Sequence, residues 1–179
     1  MMSMNEHNRP EAFLERAMAQ WGSMVYRLAL NQMRSPQDAD DVAQDVFLRL
    51  HKDRTTFKDS EHLKAWLIRT AINRCNELRR SAWARRVVPT ADADLERAMK
   101  GSSPAARLVE SEVWDAVGRL PANMRLIVHL HYFEGYPLDE IARMLRCNPA
   151  TVRTRLHRAR KRLKLDLEEE ARHDVAEPA

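Results

Sequence analysis

The chain has 179 residues, with 30 Lys or Arg against 26 Asp or Glu, a net charge of +4 and 44% hydrophobic residues. That length suits one domain or two small ones. Only 4 glycines, 2 cysteines without a C-x-x-C motif, and no apolar run near the ~20 residues of a bilayer span argue against a hairpin-rich, disulfide-stapled, zinc-bound or membrane-spanning chain.

In chain order, Phe13, Leu14, Ala17, Met18, Trp21, Met24, Val25 and Leu28 recur at three- and four-residue steps and predict a first amphipathic helix. Ser35-Pro36 then gives a cap and a first-turn proline, with Asp38 at the positive end of a second helix. Its inward stripe is Ala39, Val42, Ala43, Val46, Phe47 and Leu50. Ser60 is the expected cap of a third helix, with Leu63, Leu67, Ala71, Cys75 and Leu78 inward. Three such helices enclose one small core. Periodicity fails over 87–103, which carries Pro89 and Gly101 and is expected to be a linker with a short turn near Leu95–Met99. Its reach is at most ~55–60 Å. Ser103-Pro104 restarts the pattern with Ala105, Leu108, Val109, Val113, Ala116, Val117 and Leu120. The next helix, from Pro121, is apolar nearly all round except for Arg125, His129 and Tyr132. Gly135-Tyr136-Pro137 ends it. A short helix over Leu138–Leu145 and a last one capped by Asn148-Pro149 complete the chain. No segment alternates with period two. The expected fold is all-α, with two small helical domains at 10–86 and 104–167, the linker 87–103 between them and an acidic tail at 168–179.

Charge is sorted along this framework. From Asp38 to Asp45 there are four aspartates and no basic residue, and from Arg69 to Arg86 six arginines and one acid. From Arg143 to Lys164 there are nine basic residues and no acid. Like charges packed this densely repel one another, and a polyanion such as nucleic acid relieves the repulsion.

The last basic block coincides with a short helix, a tight turn and a capped second helix, the helix-turn-helix layout. Thr151, Arg153, Thr154, His157 and Arg158 fall on the outer face of its second helix, where the first turns can enter a major groove. Arginine there can pair with the guanine edge at roughly 1–3 kcal/mol of discrimination. Arg155, Arg160, Lys161, Arg162 and Lys164 suit phosphates. Arg146 occupies the turn position that glycine often holds, which predicts a left-handed residue there at a cost on the order of 1 kcal/mol.

Asp41, Gln44, Asp45 and Leu48 share one face of the second helix. A solvated acidic face and a docking face for a basic protein surface fit equally. No His or Cys stands at ligand spacing and no nucleophile–base pair is evident, so neither a metal nor a catalytic residue is expected. The third helix carries Lys64, Arg69, Asn73, Arg74, Arg79 and Arg80 near Trp66 and Trp83. Aromatics beside cations suit single-stranded nucleic acid, while core filling is the alternative for either tryptophan. A stand-alone duplex-binding regulator and a nucleic-acid-processing enzyme are the competing functions. The first lacks an evident dimerisation helix, and the second lacks a metal or nucleophile constellation.

The succession D-x-x-Q-D-V-F (from Asp41), K-A-W-L-I-R-T-A-I-N-R (from Lys64) and L-D-E-I-A-R-M-L followed by T-V-R-T-R-L-H-R-A-R-K-R-L resembles the extracytoplasmic-function (ECF) sigma factors, small two-domain subunits of bacterial transcription initiation. The resemblance runs from about Phe13 to Leu165. It implies a sigma region 2-like first domain and a region 4-like second domain. Asp41, Gln44, Asp45 and Leu48 would dock on the β′ clamp helices of core RNA polymerase. The 53–60 loop would capture a flipped −10 base, and Arg69, Asn73 and Arg74 would contact the −10 strand. Thr151, Arg153, Thr154, Arg155, His157, Arg158 and Lys161 would contact the −35 duplex. The implied partners are core polymerase (β′ clamp helices and β flap), promoter DNA and an anti-sigma factor, with no cofactor, no membrane insertion and a cytoplasmic location. Arg146 and Ala150 stand where the family frequently has glycine, and Pro137 where it frequently has a capping serine.

Overall fold

The computed structural model describes residues 9–84 and 112–176, and all of the regular structure among them is helical. The chain divides into two compact units, Met1–Leu95 and Glu96–Ala179. The expected linker, its short turn and the Ser103-Pro104 start lie outside the described residues, as does the side chain of Trp83.

The first unit is three helices: α1 (Glu11–Met33), α2 (Pro36–Lys52) and α3 (Ser60–Ala84). Each packs on the other two. α1 ends because Arg34 turns left-handed, at φ 54°, and donates its N–H to Leu30 O. Ser35 then caps α2 as the sequence predicts, its Oγ accepting from the Asp38 N–H at 3.3 Å. The cap of α3 is a correction. Asp59 Oδ1 accepts from the His62 N–H at 2.7 Å, while Ser60 is already helical and accepts instead from Gln20 Nε2. Asp is as good a cap as Ser, so the choice between neighbours rested on backbone geometry alone. Val25, Leu28, Ala29, Val42, Val46, Leu50, Leu67, Ile68, Ala71 and Cys75 are fully buried and form the core. Met18, expected inward, is instead exposed. Burial drives the Cys75 thiol pKa up to about 11, so the residue serves as packing and not as a nucleophile.

The second unit comprises α4 (Glu112–Arg119), α5 (Ala122–Val128), α6 (Leu138–Leu145) and α7 (Pro149–Ala176). α7 is the hub, packing against α4, α5 and α6. Its helical backbone continues to Ala176, through the first part of the acidic tail. α5 does not run straight to its end. It widens into a π turn over His129–Phe133, with the Glu134 N–H on His129 O at 3.2 Å and the Tyr136 N–H on Leu130 O at 3.0 Å. The chain then turns at Gly135, whose φ of 75° suits a residue without a Cβ.

The expected polar stripe of this helix is split by the structure. Arg125 is buried and donates from one Nη to Gly118 O at 3.0 Å and Leu120 O at 2.8 Å, satisfying carbonyls at the end of α4. His129 is also buried, 3.4 Å from Glu134. Only Tyr132 reaches solvent. The π turn moves Phe133 outward against Trp114, with ring centres 4.3 Å apart. Val113, expected inward, is exposed beside this aromatic pair's helix.

Candidate docking and nucleic-acid interfaces

On α2, burial of Ala39, Val42, Val46 and Phe47 turns Asp41, Gln44 and Leu48 to solvent. Leu48 is 49% exposed, an apolar side chain one turn beyond Gln44 and Asp45. Asp45 differs from these three. Its Oδ2 lies 2.7 Å from Arg74 Nε and 3.5 Å from Arg49 Nη2. Glu77 closes the square, 2.9 Å from Arg49 and 3.2 Å from Arg74. The hydrogen bond from Arg49 is the main reason the Glu77 carboxyl titrates below its ordinary range, with Arg74 adding to it against the opposing effect of burial. The same bond raises the Arg49 guanidinium. Arg74 is thus brought to Asp45, on the α2 side of α3, while Arg69 and Asn73 are exposed.

A cleft of about 390 Å³ lies beside this square, lined by Arg49, Lys52 and Asp53 from the end of α2 and by Trp66, Thr70 and Asn73 from one face of α3. Helical spacing explains the second set, since positions 66, 70 and 73 follow i, i+4, i+7. The 53–59 segment forms its rim. Asp53 Oδ1 accepts from the Thr55 N–H at 2.7 Å, and Phe57 meets Trp66 edge-on with centres 5.9 Å apart. Trp66 is half-buried, meeting Phe57 on the rim side of α3 and lining the cleft. Arg49 and Lys52 escaped sequence analysis because they sit between the acidic and basic blocks, and Thr70 because it is an uncharged residue inside the basic one.

In the second unit, α6 and α7 form the helix-turn-helix. Arg146 has φ 51° and ψ 46°, the left-handed turn expected of it. The Cys147 N–H closes the turn on Ala142 O at 3.0 Å, and Asn148 Oδ1 caps α7 by accepting from the Ala150 N–H at 2.8 Å. Val152, Leu156 and Ala159 are buried. That leaves Arg153, Thr154, His157, Arg158 and Lys161 exposed, with Thr151 and Arg155 half-buried. Two of the outer arginines are engaged. Arg153 pairs with Asp139 of α6 at 3.1 Å, and Arg160 donates to the Tyr132 hydroxyl at 2.6 Å. Among the described residues, no group of three or more His, Cys, Asp or Glu could hold a metal ion, and no helix is long and apolar enough to cross a membrane.

A three-helix unit with an exposed acidic face, followed by a basic helix-turn-helix unit, is the build of a two-domain sigma-70-type chain. Residues 17–85 match the family model for Sigma-70 region 2, and residues 110–163 match that for Sigma-70, region 4. The chain is 32% identical over 139 residues to the ECF RNA polymerase sigma factor SigM of Mycobacterium tuberculosis, covering 78% of this chain and 69% of SigM. It is likewise 32% identical over 164 residues to SigL of the same species, covering 89% of this chain and 92% of SigL. In fold it is similar to the sigma factor RpoE of Bartonella quintana, solved in complex with the anti-sigma factor NepR. There the TM-score is 0.65 at 19% identity, over 89% of this chain and 98% of that one. The chain belongs to the ECF RNA polymerase sigma factors.

Proposed function

We propose that the chain acts as a promoter-specificity subunit that catalyses nothing itself and works in the cytoplasm. It binds core RNA polymerase through the first domain (10–86), reads a −35 duplex with the second (104–167), and holds −10 bases as single strand, with 87–103 as the connection and 168–179 as an acidic tail. The observation that carries this division is the pairing, within one chain, of an exposed Asp41–Gln44–Leu48 face with a capped helix-turn-helix whose sequence from Arg143 to Lys164 is basic and carries no acid. A face that runs from Asp41 through Gln44 to the apolar Leu48 suits a basic surface with an apolar spot beside it, and the β′ clamp helices would supply that surface. Asp45 would contribute from within its ion-pair square. The β flap would engage the second domain.

For the −10 strand, Asn73 and Trp66 offer an amide and a ring inside a cleft of base size, and Arg69 stands exposed one turn from Asn73. Extruding a base costs a few kcal/mol of stacking, offset by contacts in such a pocket. Arg74, tied to Asp45, would contact the strand only after leaving that pair. Arg153, Thr154, His157 and Arg158 would face base edges, and Thr151, Arg155 and Lys161 the phosphates. Because RpoE of Bartonella quintana was solved with an anti-sigma factor, we extend anti-sigma control to this chain. In vitro transcription with core polymerase tests the assignment: promoter-directed transcripts that depend on the chain are expected, and their absence from a genome-wide template pool would defeat it.

A further inference from the structure

Arg9 precedes the segment that matches region 2, which begins at residue 17, yet it is the most heavily engaged side chain near the cleft. Its backbone N–H donates to His51 O at 2.9 Å and its Nε to Leu50 O at 3.1 Å. Both acceptors are carbonyls of the last turn of α2, and Leu50 O also accepts from the Asp53 N–H at 3.3 Å. One Nη donates to Thr55 O, and the same group lies 3.6 Å from the Asp53 carboxylate. The guanidinium is also 5.0 Å from the ring centre of Phe13 and 4.7 Å from that of Phe57. One planar fork thus joins α1, the end of α2 and the 53–59 rim, across 41 to 46 positions of sequence.

These contacts reach the cleft by two routes. Asp53, which Arg9 pairs with, is itself a lining residue. Phe57, which Arg9 covers, packs on Trp66, the aromatic wall. The far end of the rim is held by α3, through Asp59 on the His62 N–H and Phe57 against His62 and Trp66. Residues 54, 55 and 56 are exposed between helices, and Arg9 ties that near end to α2. Burial works to raise the Asp53 carboxyl, but the bonds from Thr55 and the Arg9 charge outweigh it and hold it low.

We infer that Arg9 is a positioning residue for base capture, setting the shape of the cleft by clamping the 53–59 rim to the end of α2. It need not touch DNA. The inference rests on the proposed role of the cleft in holding an unstacked −10 base. A lysine would keep the charge near Asp53 and the rings but has a single nitrogen, so it does not reproduce the fixed spacing by which Nε and Nη reach Leu50 O and Thr55 O.

The test uses holoenzyme reconstituted from bacterial core polymerase and the full chain. Its ligand is a fork-junction DNA pool randomised in both the upstream duplex and the single-stranded segment, and bound strands are sequenced. Wild type should enrich particular bases in both parts. Arg9→Ala should lower the enrichment about tenfold at one or two single-stranded positions, the scale of one lost base contact. Duplex enrichment and affinity for core should stay within about twofold. Arg9→Lys should lose selectivity at the same positions while melting like wild type, which a merely structural role would not produce. If Arg9→Ala does not fold, Arg9→Lys decides alone. Wild-type selectivity in the folded variants would overturn the inference. No single-strand preference in wild type itself would instead overturn the assignment of the cleft.

Discussion

At the scale of single residues, the left-handed Arg146 has a definite energetic consequence. A Cβ there costs on the order of 1 kcal/mol, while glycine gives back a few tenths through its freer unfolded state. Arg146→Gly should therefore hold or raise the thermal midpoint of the second domain, and a clear fall would show that the arginine side chain stabilises the turn. Arg125 has the opposite sign. Replacing it with Met would remove its hydrogen bonds to the Gly118 and Leu120 carbonyls, costing about 1–3 kcal/mol in a urea titration. Arg146 was legible in the sequence because a turn position dictates its backbone. The burial of Arg125 was not: its partners are backbone carbonyls, which leave no trace in residue types.

At the scale of elements, the α2–α3 square links a candidate docking residue, Asp45, to a candidate DNA residue, Arg74. Since Glu77 titrates below its ordinary value of 4.5 in the folded chain, its contribution is present above that value. It is lost as pH falls through the lowered one. Glu77→Gln should flatten the acid limb of the melting curve of the first domain, and because Glu77 is 41% exposed the change should be small. Asp41, outside the square, gives the cleaner docking test: Asp41→Lys should abolish capture by immobilised core polymerase with an unchanged melting midpoint. Asp45→Lys should lose capture and also lower the midpoint, because Arg49 and Arg74 lose a partner. Helix periodicity made the inward faces of α1, α2 and α3 readable. It could not show which outward charges pair across helices, since that depends on how the helices cross. The π turn was equally hidden, because widening by one residue follows no propensity that a single sequence displays.

At the scale of the whole molecule, two domains with separate ligands should fail separately. Arg158→Ala should weaken −35 duplex binding and spare core capture. If Arg158 meets a phosphate, the logarithmic salt dependence should fall by about 0.9 in slope; if it meets a base, selectivity at one position should relax instead. Fluorescence anisotropy across a salt series distinguishes the two. The sorting of charge into blocks made this division visible in the sequence, and the matches at 17–85 and 110–163 agree with two domains. Trp66, Asn73 and the 53–60 loop stood out singly in the sequence, but that they meet Arg49, Lys52 and Thr70 around one cleft depends on how α2 and α3 cross.

The widened turn at His129–Phe133 carries a lesson about tolerated length change. A helix can take up one surplus residue as such a bulge and leave both flanks in register. Deleting a single amino acid there should restore an ordinary α-helical ladder without shifting α6 or α7. The contacts the turn itself makes, Phe133 on Trp114 and Tyr132 with Arg160, would be remade.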